Sequence, residues 1–182
     1  MDSAVKIIDN KKAFSIGTLL ISSYVINYVL RMLLSIFTPA LLKTGLFTVE
    51  FIASLSSVYM FFYAAGQLIN GFLGDAFSPK KLSTAGIALA GVSCIAFAFM
   101  SNNILRVICF AVLGFALSML RGPFMKIISE NTAADHARII GVFFSFSSFA
   151  GPLLASLMAM LFNWKNTFII SGAAAISASE GS

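Results

Sequence analysis

Charge is what this chain has least of. Only 10% of its 182 residues are Asp, Glu, Lys or Arg, against about 25% in ordinary soluble domains, and that shortage excludes a water-facing globular surface. There is a single histidine, His136, which reads as a surface residue. No Ser/His pair at a common depth, no H-E-x-x-H and no paired acids are present, so an intramembrane enzyme is not expected. Two cysteines, Cys94 and Cys109, lie in apolar runs without C-x-x-C or metal-ligand spacing and read as small inert hydrophobes. Neither a metal nor a cofactor is expected. Low-complexity stretches and linkers long enough to separate domains are also missing.

What fills the chain is hydrophobic surface, 59% of it, with nineteen Phe. The apolar residues come in blocks of around twenty, the length an α-helix needs to cross roughly 30 Å of hydrocarbon. Outer-membrane barrel strands would be half as long and would alternate. The fold class is therefore all-α transmembrane. The net charge of +5 could suggest nucleic acid, but the basic residues are scattered between the apolar blocks. The distribution fits membrane topology, with the lipid bilayer as partner and no nucleic acid.

Residues 1–13, with Lys6, Lys11 and Lys12, read as an amino-terminal segment, and 14–182 as one membrane domain. Spans are expected at about 14–37, 51–73, 82–100, 104–125 and 139–162, with a sixth over 167–178 that is too short to cross. The expectation is five full spans and a truncated sixth, the chain ending inside that helix. The first run is too long for a signal-peptide core. With the amino terminus in the cytoplasm, the inner side carries Lys6, Lys11, Lys12, Lys80, Lys81, Lys126 and Arg138, and the outer side Lys43, Arg106 and Lys165. This asymmetry favours that orientation in the cytoplasmic (plasma) membrane. Thr132 to Asp135 has capping-box spacing and would start the fifth helix.

The polar residues inside the spans are ordered. Tyr24, Tyr28, Arg31, Ser35 and Thr38 follow at steps of four and three and share one face of the first helix. Such a face belongs against a bundle interior or a water-filled cavity. Arg31 lies close to mid-membrane, where its charge costs about 2.5 kcal/mol or more unless compensated. The acids between Thr44 and Ala134 are Glu50, Asp75 and Glu130, all at span ends. The counter-charge of Arg31 must then be a substrate anion, a carboxylate from elsewhere, or water and helix carbonyls. A planar guanidinium fork matches phosphate or carboxylate bidentately. Candidate substrate-binding residues are Arg31, Tyr24, Tyr28 and Ser35.

Ser56, Tyr59, Tyr63, Gln67 and Asn70 line one side of the second helix, and Gly141, Ser145, Ser148 and Pro152 one side of the fifth. Close packing of small residues explains these rows as well as a cavity does. Pro152 should bend its helix. Arg121, toward the inner end of the fourth helix, reads as a snorkelling residue. Arg31 and Arg121 occupy similar depths in the first and fourth spans, as expected for two three-helix units of opposite orientation.

The second and third spans are joined by a short charged turn containing Gly71, Asp75, Ser78, Pro79, Lys80 and Lys81. Asp75 stands at a helix carboxyl end, where the macrodipole disfavours a carboxylate, so it wants a positive partner. This loop resembles that between helices two and three of the major facilitator superfamily, roughly G-x-x-x-D-R-x-G-R/K-R/K. With Arg31 following a Tyr-rich first helix, and Ser78-Pro79-Lys80-Lys81 where relatives carry Asn-Pro-Arg, the chain is most similar to the organophosphate:anion exchanger branch. The resemblance implies the amino-terminal half of a major-facilitator-type bundle, a 3+3 inverted repeat, whose partner is a missing carboxyl-terminal half or second half-bundle. It implies a secondary-active transporter, an antiporter moving a small anion or phosphate ester by alternating access, with Arg31 on the substrate phosphate and Gly71, Asp75, Lys80 and Lys81 as a gating loop. Ala76 stands where an arginine usually follows the aspartate. The alternative is a non-transporting interaction or sensor module that kept the half-bundle.

Overall fold

The structure, a computed structural model, describes residues 10–76, 78–131 and 134–180, and their side chains except at 10–21, 74–76, 79, 121–131 and 134–144. Most of the amino-terminal segment, Thr132 of the expected capping box and the side chains of Asp75 and Arg121 therefore lie outside the described residues. Among the described residues six helices follow one another: α1 (Asn10–Lys43), α2 (Val49–Ala76), α3 (Pro79–Phe99), α4 (Asn103–Asn131), α5 (Ala134–Leu161) and α6 (Trp164–Glu180). No strand occurs among the described residues. Among the described residues, four helices carry apolar stretches long enough to cross a membrane, Ser22–Lys43, Val49–Leu73, Lys80–Phe99 and Asn103–Leu120, and α5 adds the shorter Ser145–Leu161. The helix of α5 continues through Pro152.

Local chemistry fixes the helix ends. After α1 the chain turns at Gly45, which takes φ 69°, a conformation that costs a side-chain-bearing residue about 1–2 kcal/mol. Its N–H donates to the Leu42 carbonyl at 3.1 Å. Thr48 Oγ1 then accepts from Phe51 N at 3.2 Å and caps α2. Ser78 caps α3, its Oγ accepting from Lys81 N at 3.4 Å, with Pro79 next in the first turn. Asn102 Oδ1 accepts from Ile104 N at 2.8 Å at the start of α4.

α2 packs along α4, α3 along α4 and α6, and α1 along α5 and α6, whereas α1 meets α2 and α4 at few positions. Exchanging α1–α3 with α4–α6 turns this pattern into itself, and the exchange holds at the level of single residues. The space a side chain at Gly66 on α2 would need is taken by Ser118 on α4, and the space at Gly151 on α5 is taken by Tyr28 on α1. Tyr28 and Ser118 are separated by the same sequence offset as Arg31 and Arg121. On the remaining pair of helices, a Cβ on Gly91 would meet the Gly172 carbonyl at 2.6 Å, and one on Gly172 the Gly91 carbonyl at 2.7 Å. Their next neighbours, Ile176 and Ile95, exchange in the same way. The α3–α6 crossing is thus the point about which the two triplets are related, the arrangement expected of an inverted repeat.

The core is apolar, with Leu33, Leu41, Leu55, Phe97, Leu117, Leu120 and Phe168 inaccessible or nearly so. At the end where α1 joins α2, rings gather around Phe97: Phe110 at 4.8 Å, Phe168 at 5.0 Å, and Phe47 and Trp164 at 6.3 Å. Such contacts contribute about 0.5–1.5 kcal/mol each beyond burial. Arg106 closes this end, donating through Nε to the Met100 carbonyl at 3.0 Å with its guanidinium 4.5 Å from the Phe47 ring centroid. Large side chains remain exposed along α2 and α5, among them Phe61, Leu68, Phe72, Phe149, Leu153 and Met160. Lipid or other membrane-embedded protein can cover such a surface without cost.

Candidate functional site

The site lies in the seam where α1 draws away from α2 and α4. Because α1 leans on α5 and α6 while α2 leans on α4, a cavity of about 150 Å³ opens between them. Arg31 and Ser35 enter it from α1, Ser56 and Tyr59 from α2, and Phe110 and Leu113 from α4, with Met32 and Met60 along its walls. Steps of three and four on α1 and α2 put these polar groups on facing sides.

Arg31 is half-buried and stands near the middle of the span Ser22–Lys43. Its guanidinium lies 5.4 Å from the centroid of the Tyr63 ring and makes no hydrogen bond or ion pair with the described residues. The acids whose side chains are described, Glu50 and Glu180, are exposed at helix ends. Tyr63 stacks on Tyr59, rings 5.9 Å apart at 20°. Tyr59 is only 6% exposed, and its hydroxyl has no hydrogen-bond partner among the described residues. Ser56 Oγ donates to the Ile52 carbonyl at 3.1 Å. The cavity is therefore lined by an unpaired cation and by Tyr59, whose enclosed hydroxyl has no partner among the described residues, with Ser35 and Ser56 beside them in mainly apolar walls.

Of the residues on the α1 face, Arg31 and Ser35 share the cavity. Tyr24 and Tyr28 stand further along the helix, their rings edge to face at 5.2 Å, and Tyr28 lies against Gly151 of α5. Thr38 turns back on its own helix, donating to the Leu34 carbonyl at 2.8 Å. On α2, Asn70 leaves the cavity altogether and donates to Ser118 Oγ at 2.6 Å. Ser56 and Tyr59 were visible in the sequence as part of the α2 polar row, but their pairing with Arg31 needed the helix packing.

Of the expected gating-loop residues, Gly71 stands within α2, exposed with open space around it, and Lys80 and Lys81 are exposed in the first turn of α3. The backbone of Asp75 belongs to the last turn of α2; its side chain lies outside the described residues. No cluster of three or more potential metal ligands occurs among the described residues.

The family model of the Major Facilitator Superfamily matches residues 20–179. The chain belongs to the Major Facilitator Superfamily. This is a family of membrane transporters rather than enzymes, and the six-helix bundle with its exchange-symmetric packing is half of the superfamily's fold. The chain is also 24% identical over 160 residues to the probable sulfoacetate transporter SauU of Cupriavidus necator, covering 84% of this chain and 36% of that protein. It thus spans about a third of the length of this relative.

Proposed function

We propose that this chain forms part of a secondary-active transporter that moves a small organic anion or phosphate ester by alternating access, with Arg31 as the residue that meets the anion. The observation that carries the reading is the unpaired guanidinium near mid-span, facing a cavity with no described carboxylate at its depth. A cation so placed is costly unless something negative or polar compensates it. The relative named as a sulfoacetate transporter supports an organic anion. Ser35 lies beside Arg31, and Tyr24 and Tyr28 line the approach along α1. Exchange of anions, as in the organophosphate:anion exchanger branch, fits a half-bundle whose spans hold no acid at mid-depth. Gly71, Asp75, Lys80 and Lys81 form the gate facing a second half-bundle, with the amino terminus in the cytoplasm and the protein in the cytoplasmic membrane.

The test is anion binding by the purified chain, with sulfoacetate and glycerol phosphate as probes, comparing the parent with Arg31→Lys and Arg31→Ala. Lysine keeps the charge but loses the planar fork. A loss of about tenfold or more, some 1.4 kcal/mol, is expected for Lys and more for Ala. Equal affinity in all three would remove Arg31 from the site.

A further inference from the structure

We propose that the hydroxyl of Tyr59 is a second donor of the anion site, completing with Arg31 a three-donor cradle that recognises an oxoanion head group; this rests on the reading of Arg31 as the anion-binding residue. The inference starts from a polar atom without a partner. Buried hydroxyls are almost always hydrogen-bonded, yet the Tyr59 hydroxyl is enclosed and has no partner among the described residues. The residue lines the cavity that Arg31 lines, which makes an occupant of that space the nearest candidate for the partner of the enclosed hydroxyl.

The neighbouring aromatic groups make the same distinction. Tyr63 offers Arg31 the face of its ring, and no described residue takes the N–H groups of the guanidinium. Tyr59 stacks on Tyr63, and that stacking fixes the phenol ring next to the cation. An in-plane fork gives two parallel N–H donors, and the phenol adds an O–H donor from another helix. A sulfonate, phosphate or carboxylate offers separate oxygens to donors arriving from two helices, while a halide offers one centre. At about 150 Å³ the cavity is below the roughly 300 Å³ at which sites for whole drug-sized ligands begin. It suits the charged head of the solute, with the carbon chain outside.

A packing role for Tyr59 predicts the opposite of a binding role. If the hydroxyl only sits unpaired in the core, Tyr59→Phe removes a buried polar atom and changes nothing else. The experiment measures binding of sulfoacetate, inorganic phosphate and bromide to the full 182-residue chain in detergent, with melting temperatures of the ligand-free protein, for the parent, Tyr59→Phe and Arg31→Ala. Tyr59→Met, which also lacks the hydroxyl, replaces Tyr59→Phe if that variant does not fold. The expected result is a loss of about tenfold for the two oxoanions in Tyr59→Phe, less than twofold for bromide, and a ligand-free melting temperature no lower than the parent's. Oxoanion affinities within twofold of the parent in Tyr59→Phe, with binding lost in Arg31→Ala, would overturn the role of Tyr59 and leave Arg31 standing. Unchanged affinity in Arg31→Ala, or no oxoanion binding by the parent, would overturn both.

Discussion

Arg31 on α1 and Tyr63 on α2 form a cation–π pair across a seam where their two helices otherwise scarcely touch, the guanidinium carbon 5.4 Å from the ring centroid. The pair holds the charge on one side of the cavity while its N–H groups stay available. Cation–π contacts contribute from about 0.5 kcal/mol when exposed to about 2 kcal/mol when desolvated.

Tyr63→Leu removes the ring and should lower stability by about 1 kcal/mol, while Tyr63→Phe, which keeps a π face, should change it less. The check is thermal unfolding in detergent for both variants. Equal losses from Leu and Phe would place the stabilising contribution in the hydroxyl rather than in the ring face.

Gly66→Ala and Gly151→Ala should each destabilise by about 1–3 kcal/mol, because a new methyl group meets Ser118 in one case and Tyr28 in the other. Gly71→Ala should be neutral or mildly stabilising, since nothing lies within 4 Å of that position and alanine is the better helix former by about 0.5–1 kcal/mol. Melting temperatures of the three variants in one detergent decide the matter. A loss in Gly71→Ala equal to the other two would contradict the packing described for the α2–α4 and α1–α5 interfaces.

The proposed orientation, amino terminus in the cytoplasm, puts the α2–α3 loop on the same side. A cysteine at Ser78, placed in a background lacking Cys94 and Cys109, should resist a membrane-impermeant maleimide applied to intact cells and react once the membrane is opened. Removing Ser78 Oγ also removes the cap of α3, at a cost of about 1 kcal/mol, which most membrane proteins tolerate. Rapid labelling from outside would reverse the orientation.

The helices were readable because a bilayer demands apolar blocks of one length, and little else produces them. The repeat was hinted at by Arg31 and Arg121 alone; the contacts of Gly66 with Ser118 and Gly151 with Tyr28 give that offset a physical meaning. Periodicity placed Tyr24, Tyr28, Arg31 and Ser35 on one face, but a face spans the whole helix, whereas a cavity spans only a few turns. Depth and neighbour then separate Arg31 and Ser35 from the two tyrosines, and these depend on where α2 and α4 stand. Tyr59 and Asn70 show the same limit on α2. They share a polar row in the sequence, yet one faces the cavity and the other bonds to α4.

Gly91 and Gly172 line none of the cavity, yet their crossing bears on its width. α4 rests on α3, and α1 rests on α6, so the distance at which α3 and α6 cross is passed on to the gap between α1 and α4. Each glycine's carbonyl occupies the space that a methyl group on the other would need, so the helices cross as closely as they do only because neither residue carries one. The calibre of the site is thus governed from the α3–α6 seam, by two residues that line none of the cavity.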